Sequence, residues 1–260
     1  MELEFQNVTK RFGSQVAVDG VSFRMKGGDF VGLIGPNGAG KTTALRMAVG
    51  HLEPTDGRVV LDGAGVMERP LEARKRIGYV PEFIALYDYL TGAEYLEFVG
   101  ELKGLSTRDR EAGVEELYEV LQLGEERHRL IRTYSQGMRR KVAIAAALLG
   151  HPPFLVLDEA LNGLDPTTLH GLKAYLTACS RRGMGILISS HVLEVLERLC
   201  NRIAMLYGGK LVAVLDAEEL ERVRGQDGGL EQHFMLLVEG VQAGLGRGTG
   251  VSEQTGGTGR

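Results

Sequence analysis

The 260-residue sequence has no run of about 18 consecutive apolar residues, the length that marks a membrane-spanning helix. Even the stretch from Val142 to Leu149 is too short, so any membrane role is expected to come through a partner. A basic excess is also missing: the formal charge is -4 and the pI about 5.9. That balance argues against a dedicated nucleic-acid binder, which meets a phosphate backbone with clustered Lys and Arg. Cysteine is scarce, with Cys179 and Cys200 far apart and in no metal-ligand spacing, which predicts reduced, buried thiols in a reducing compartment. The start, Met1-Glu2-Leu3-Glu4-Phe5, lacks the basic opening and apolar core of a signal peptide, and a cytosolic location is expected.

What is present is the composition of an ordinary globular protein, 43% hydrophobic and 25% charged, enough to bury a core. The length suits one large domain with an attached subdomain and a tail. Alternating apolar and polar residues in 3–8 and 16–23 predict two half-buried strands joined by a turn at Gly13. Phe30 to Ile34 is a short apolar run that enters a Gly-rich loop, followed by helical composition from Thr42 to Val49. The runs Ile77 to Val80, Phe154 to Leu157, Gly185 to Ser189 and Ile203 to Leu206 lie between helical stretches, as buried parallel strands do. From Thr91 to Leu149 the period becomes helical, with Tyr95, Leu96, Val99 and Leu102 on one stripe and Val114, Leu117 and Leu121 on another. The fold class expected is α/β with a mostly parallel sheet, an N-terminal antiparallel β-subdomain and an inserted helical subdomain.

Gly35-Pro36-Asn37-Gly38-Ala39-Gly40-Lys41-Thr42 matches the phosphate-loop pattern G-x-x-x-x-G-K-[ST], and it sits between a predicted strand and a predicted helix. Glycines let the backbone curl so that successive N–H groups point at phosphate oxygens, and the following helix presents its positive end. Lys41 is expected on the β- and γ-phosphates, Thr42 on Mg²⁺, and Thr43 on the α-phosphate. By itself this motif does not separate a transporter from a kinase, a GTPase or a helicase.

Phe154 to Glu159 is an apolar strand ending in two carboxylates. Alone, such an end reads as solvated acids as readily as a site. Beside a phosphate loop, Asp158 is expected to hold Mg²⁺, and Glu159, one residue on, to polarise the attacking water as general base.

Here the sequence resembles the ATP-binding-cassette (ABC) ATPases. Tyr134-Ser135-Gln136-Gly137-Met138 looks like their LSGGQ signature, and Asn162-Gly163-Leu164-Asp165-Pro166 resembles their D-loop. Ser189-Ser190-His191 is similar to the switch-histidine loop, and Phe12 to the aromatic that stacks on adenine. The likeness runs from about residue 2 to 222. It implies that two cassettes meet head to tail, with ATP between the phosphate loop of one and the signature of the other. Ser135, Gln136, Gly137 and Asp165 are then nucleotide contacts, and His191 touches the γ-phosphate, although an isolated histidine would read as a core residue. The partners implied are a second ABC ATPase subunit, as homodimer or heterodimer, and a separate transmembrane permease subunit. The chain would work as an ATPase, peripheral on the inner face of the membrane. An ATPase domain over 1–222 is expected, with a helical subdomain at about 86–150. A short extension with a docked helix over 223–242 and a flexible tail over 243–260 complete the expected layout.

Several positions depart from the family pattern. Glu82 stands for the usual Gln, so a carboxylate would join Mg²⁺. Tyr134, Gln136 and Met138 replace Leu, Gly and Gln in the signature, Ala146 replaces a frequent Arg, and Ala160 a Pro. Pro81-Glu82, the Ser-x-Gly-Met signature and Val192-Leu193-Glu194 resemble ATPases of ABC-2 type exporters. Two other functions compete: a soluble ABC ATPase acting on ribosomes or nucleic acid, and a regulatory module that binds ATP without hydrolysing it. Neither a second cassette nor a basic stripe supports the first, and Glu159 with His191 opposes the second.

Overall fold

The computed structural model describes residues 1–190 and 193–246. Strands β1 (Glu2–Phe12) and β2 (Gln15–Lys26) pair antiparallel, as their alternation predicts, and Phe5 stacks on Phe23 directly opposite at 4.6 Å between ring centroids. β3 (Phe30–Ile34), buried at every residue, leads into the phosphate loop and α1 (Lys41–Ala48). β4 (Asp56–Leu61) and the short β5 (Ala64–Gly65) then return to β1, giving a four-stranded antiparallel sheet in the order β2-β1-β4-β5.

α2 (Pro70–Arg76), with Pro at its start, precedes β6 (Ile77–Val80). Three helices follow: α3 (Gly92–Leu102), α4 (Thr107–Leu121) and α5 (Gln136–Leu148). Each begins where a side-chain oxygen accepts a first-turn N–H: Thr91 in a capping box with Glu94, then Ser106, then Ser135. Leu96, Val114, Leu117 and Leu121 face the core as their spacing predicts. Leu102 does not: at the last turn of α3 it is 67% exposed.

β7 (Phe154–Asp158), α6 (Pro166–Arg181), β8 (Gly185–Ser189), α7 (Leu193–Leu199) and β9 (Arg202–Tyr207) complete the α/β alternation. β10 (Lys210–Leu215) folds back on β9, and α8 (Ala217–Arg224) and α9 (Gly229–Gly246) close the described chain. α9 runs on past residue 243, where Gly-rich composition predicts a tail; Leu230 is buried, and Phe234 and Leu237 pack against the core. Residues 247–260 of that expected tail lie outside the described residues.

The second sheet has the order β10-β9-β3-β8-β7-β6, parallel except for the β10 edge. Side chains alternate across it: Leu155 and Leu157 join the core under the helices, whereas Phe154 and Val156 join the core shared with α1 and the antiparallel sheet. Burial on both faces explains why these strands read as unbroken apolar runs. Parallel pairing also places the carboxyl ends of β3, β8 and β7 side by side, with Leu33 opposite Ser189 and Ser189 opposite Asp158. Ligands of open α/β sheets bind outside such ends.

Lys103 ties the helical insert together. Its ammonium donates to the Ala146, Ala147 and Leu149 carbonyls at the end of α5, at 2.8, 3.2 and 2.7 Å. Burial pulls the group down to about 8. That lies below its unfolded value of about 10.4, so between those pH values the unfolded chain binds more protons and this group's contribution to stability rises with pH, by about 3 kcal/mol in all. Burial raises the Tyr118 and Tyr175 phenols and the Cys200 thiol, which act in the opposite sense. The quantity to measure is therefore the difference in urea stability between wild type and Lys103→Met from pH 8 upward. It should grow with pH; a constant difference would mean that Lys103 does not titrate in that window.

Candidate functional site: a nucleotide cleft

The phosphate loop joins the end of β3 to α1, and its shape rests on backbone conformations that side chains resist. Gly38 and Gly40 have φ of +79° and +99°, and a Cβ on Gly40 would stand 2.3 Å from the Ala17 carbonyl oxygen on β2. No side chain caps α1, and its first turn carries no acidic residue, so its positive end is left open to an anion. Lys41 folds back over the loop, its ammonium donating to the Gly35 and Pro36 carbonyls at 2.7 and 3.2 Å. Around this loop lies an open cleft of about 630 Å³, within the range of ligand pockets. Asn37 to Thr43 form its floor, Phe12, Gln15 and Ala17 one wall, and Glu82, Glu159 and Asn162 the other. Phe12, at the end of β1, is half exposed and flat against no core, with the Lys10 ammonium 5.4 Å from its ring centroid.

The two carboxylates at the end of β7 diverge. Asp158 is 1% exposed; its Oδ1 accepts from Ser189 Oγ at 2.8 Å and from Thr42 Oγ1 at 3.2 Å. Its Oδ2 is buried and accepts no hydrogen bond. Burial pushes the carboxyl above its ordinary range, while the Ser189 and Thr42 hydroxyls oppose that rise. Glu159 adopts φ +50°, a left-handed conformation that costs an L-residue about 1–2 kcal/mol because its Cβ crowds the following carbonyl. Ser189 holds it there, its Oγ and carbonyl accepting the Glu159 N–H at 3.0 and 3.3 Å. The twist sends Glu159 to the cleft while Asp158 stays beneath the loop. There Glu159 Oε2 accepts from the Asn162 amide at 2.8 Å.

Other residues singled out in the sequence are not gathered at this cleft. Ser135 caps α5, its Oγ accepting the Met138 N–H at 3.2 Å, and both it and Gln136 are exposed. Gly137 lies close under the following loop, where a Cβ would stand 3.1 Å from the Gly163 carbonyl. Tyr134 anchors the segment from below: it is buried, and its hydroxyl donates to the Glu126 carbonyl at 2.5 Å. Asp165 caps α6 by accepting from Thr168 N and Oγ1 at 2.9 and 2.7 Å, and pairs with Lys141 at 2.8 Å. The Lys141 ammonium, with those bonds, holds its carboxyl well below the usual carboxylate range. His191 lies outside the described residues. Gln15, Ala17 and Asn162 enter the cleft without having been assigned a role from sequence, the first two because β2 wraps over the loop, a long-range contact that no local pattern encodes.

Residues 18–162 match the family model described as ABC transporter. The chain is 40% identical over 211 residues to the Nod factor export ATP-binding protein I of Burkholderia lata, covering 81% of this chain and 69% of that protein. Its structure superposes with a TM-score of 0.85 on a solved ATP-binding subunit of an ABC transporter, at 31% identity over 92% of this chain and 100% of that one. It also matches a dimeric post-hydrolysis state of the ATP-binding cassette MJ0796 bound to ADP and Pi, with a TM-score of 0.76, 26% identity and coverage of 83% and 98%. With the phosphate loop, the carboxylate pair and the sheet that aligns them, these likenesses make the chain a member of the ABC transporter family, an ATP-binding subunit that hydrolyses ATP.

Proposed function

We propose that this subunit drives export: ATP closes two cassettes head to tail, and closure moves a separate membrane permease. The observation that carries this reading is the separation of two half-sites on one chain. The phosphate loop and Glu159 line the cleft, with Asp158 buried beneath Thr42, whereas Ser135 and Gln136 lie exposed at the start of α5, an N-terminus suited to phosphate. A second copy or a related subunit supplies the missing half, with Asp165 and Gly137 at the shared boundary, and His191 takes the γ-phosphate contact that the family resemblance implies. The likeness to the Nod factor export ATP-binding protein I of Burkholderia lata supports export.

The residues divide the chemistry. Phe12 stacks on adenine, the 35–43 loop cradles the phosphates, and Lys41 neutralises the β- and γ-oxygens. Mg²⁺ fits on the unpaired Asp158 Oδ2 and the Thr42 hydroxyl, with Glu82 on the far wall. Among the described residues no three His, Cys, Asp or Glu side chains group to hold a metal alone, in keeping with an ion shared with phosphates. When bound, Mg²⁺ neutralises charge on the phosphate oxygens. Glu159 takes the proton of the water that attacks the γ-phosphate, and ADP and phosphate are released.

None of the described helices is long and apolar enough to cross a membrane. The permease contact is assigned to the helical insert and the Glu82 loop, where Phe83, Tyr87 and Tyr89 are exposed and Tyr87 packs edge-on against Phe98 at 5.7 Å. The chain is then cytoplasmic, held at the inner face of the membrane by that partner. Purification from membranes in mild detergent should bring down a protein with multiple spans. Ribosomes or DNA in its place would overturn the transport reading in favour of a soluble ABC ATPase.

A further inference from the structure

One side chain touches the cleft wall from behind and belongs to neither half-site. Arg140, in the first turns of α5, donates through Nη1 to the Asn162 carbonyl and, at 3.4 Å, to the Glu159 carbonyl. Through Nη2 it donates to the Glu82 carbonyl at 3.2 Å. Glu82, Glu159 and Asn162 are the three residues that form that wall. They hang from the ends of β6 and β7, adjacent strands, and Arg140 fastens both loops to the helix that Ser135 begins. A planar guanidinium presents its donors in a rigid fork and so holds the three carbonyls in fixed relative directions more tightly than an ammonium on a flexible stem.

We propose that Arg140 is a positioning residue for ATP hydrolysis, holding the Glu159 carboxylate in register by clamping the Glu82 and Glu159–Asn162 loops to α5. The path is short. Arg140 fixes the Asn162 backbone, the Asn162 amide donates to Glu159 Oε2 at 2.8 Å, and the Asn162 N–H returns to the Glu159 carbonyl at 3.4 Å. A carboxylate that must meet a water within hydrogen-bond reach loses rate steeply when displaced, since misplacement by about 1 Å can cost about a hundredfold. The same clamp makes the carboxylate sensitive to any tilt of α5 and the helical insert. The inference rests on Glu159 being the general base.

Steady-state hydrolysis by the full chain tests it. Arg140→Met, which keeps the apolar stem, should lower kcat about tenfold to a hundredfold while KM and the dissociation constant for ATP stay within about twofold of wild type. Arg140→Lys should recover part of the loss. Because Arg140 acts through Asn162, adding Asn162→Ala to Arg140→Met should cost less than about twofold more, a strongly non-additive pair. An unchanged kcat, a loss of ATP affinity equal to the loss of kcat, or full additivity would overturn the proposal. Glu159→Gln separates its failure from that of its premise. If Glu159→Gln still turns over, the general-base reading fails; if Glu159→Gln is inactive and Arg140→Met matches wild type, only the positioning role fails.

Discussion

Glu159→Gln is expected to lower kcat for ATP hydrolysis by about 10²–10⁴-fold, the span of general-base catalysis, and to leave ATP affinity within about threefold of wild type. The substitution isolates proton acceptance. An amide of the same shape keeps an oxygen for the Asn162 donor at 2.8 Å, and the left-handed backbone at φ +50° costs Gln what it costs Glu. The phosphate loop, Lys41 and Asp158 are untouched, so binding persists. Once hydrolysis stops, the closed state has no exit, and gel filtration with MgATP should show a dimer that wild type holds only transiently. Turnover within about threefold of wild type would remove Glu159 from its role and leave the Asp158 carboxyl, buried beneath Thr42, in no position to replace it.

Much of this was legible from sequence because it is local. A strand, a loop with three spaced glycines and a helix occur in one stretch of about 20 residues, and the apolar runs of the parallel strands advertise burial on both faces. β4 was not legible. Asp56, Gly57 and Arg58 are exposed and Val59, Val60 and Leu61 buried, so half the strand faces solvent, half the core, and no alternation survives. β10 lies at a sheet edge with most residues half-buried, and it too lacks a period. α9 contains Gly240 and Gly244, each costing about 1 kcal/mol against Ala in a helix interior, and composition therefore reads its end as tail. Packing of Leu230, Phe234 and Leu237 against the core outweighs that propensity at the helix start.

The site shows the same division. The phosphate-binding and acidic residues announce themselves by type and spacing, and the signature by likeness to a family. Arg140 does not, because its partners are backbone carbonyls on other loops and an arginine on a helix usually reads as a solvated charge; Asn162 stands in the stretch that resembles the D-loop, but its bond to the Glu159 carboxylate three residues back is not part of that likeness. Departures from the family pattern resolve similarly. Tyr134 fits in place of the usual Leu because Gly92 makes room for its hydroxyl: a Cβ there would stand 2.5 Å from it.

Long-range contact also sets the largest effect expected at the phosphate loop. Gly40→Ala should reduce ATP affinity by about a hundredfold or more. Two costs combine: an L-residue at φ +99° pays backbone strain of about 1–2 kcal/mol, and the new methyl stands 2.3 Å from the Ala17 carbonyl oxygen. β2 has little freedom to retreat. Its Asp19 N–H is bonded to the Gly209 carbonyl at 2.8 Å, and a Cβ on Gly209 would stand 3.1 Å from the same Ala17 oxygen. The loop must therefore give way, and with it the N–H groups at the start of α1 that meet phosphate. Gly38→Ala is the matched control. At φ +79° it carries comparable backbone strain, but nothing lies within 4 Å of the added methyl, so about a tenfold loss is expected, the equivalent of about 1.4 kcal/mol. Titration of ATP into each variant measures both. Equal losses at the two positions would mean that backbone conformation alone shapes the loop. A greater loss at Gly40 would assign the difference to β2, which closes over the loop from the antiparallel sheet and makes that subdomain part of the nucleotide site.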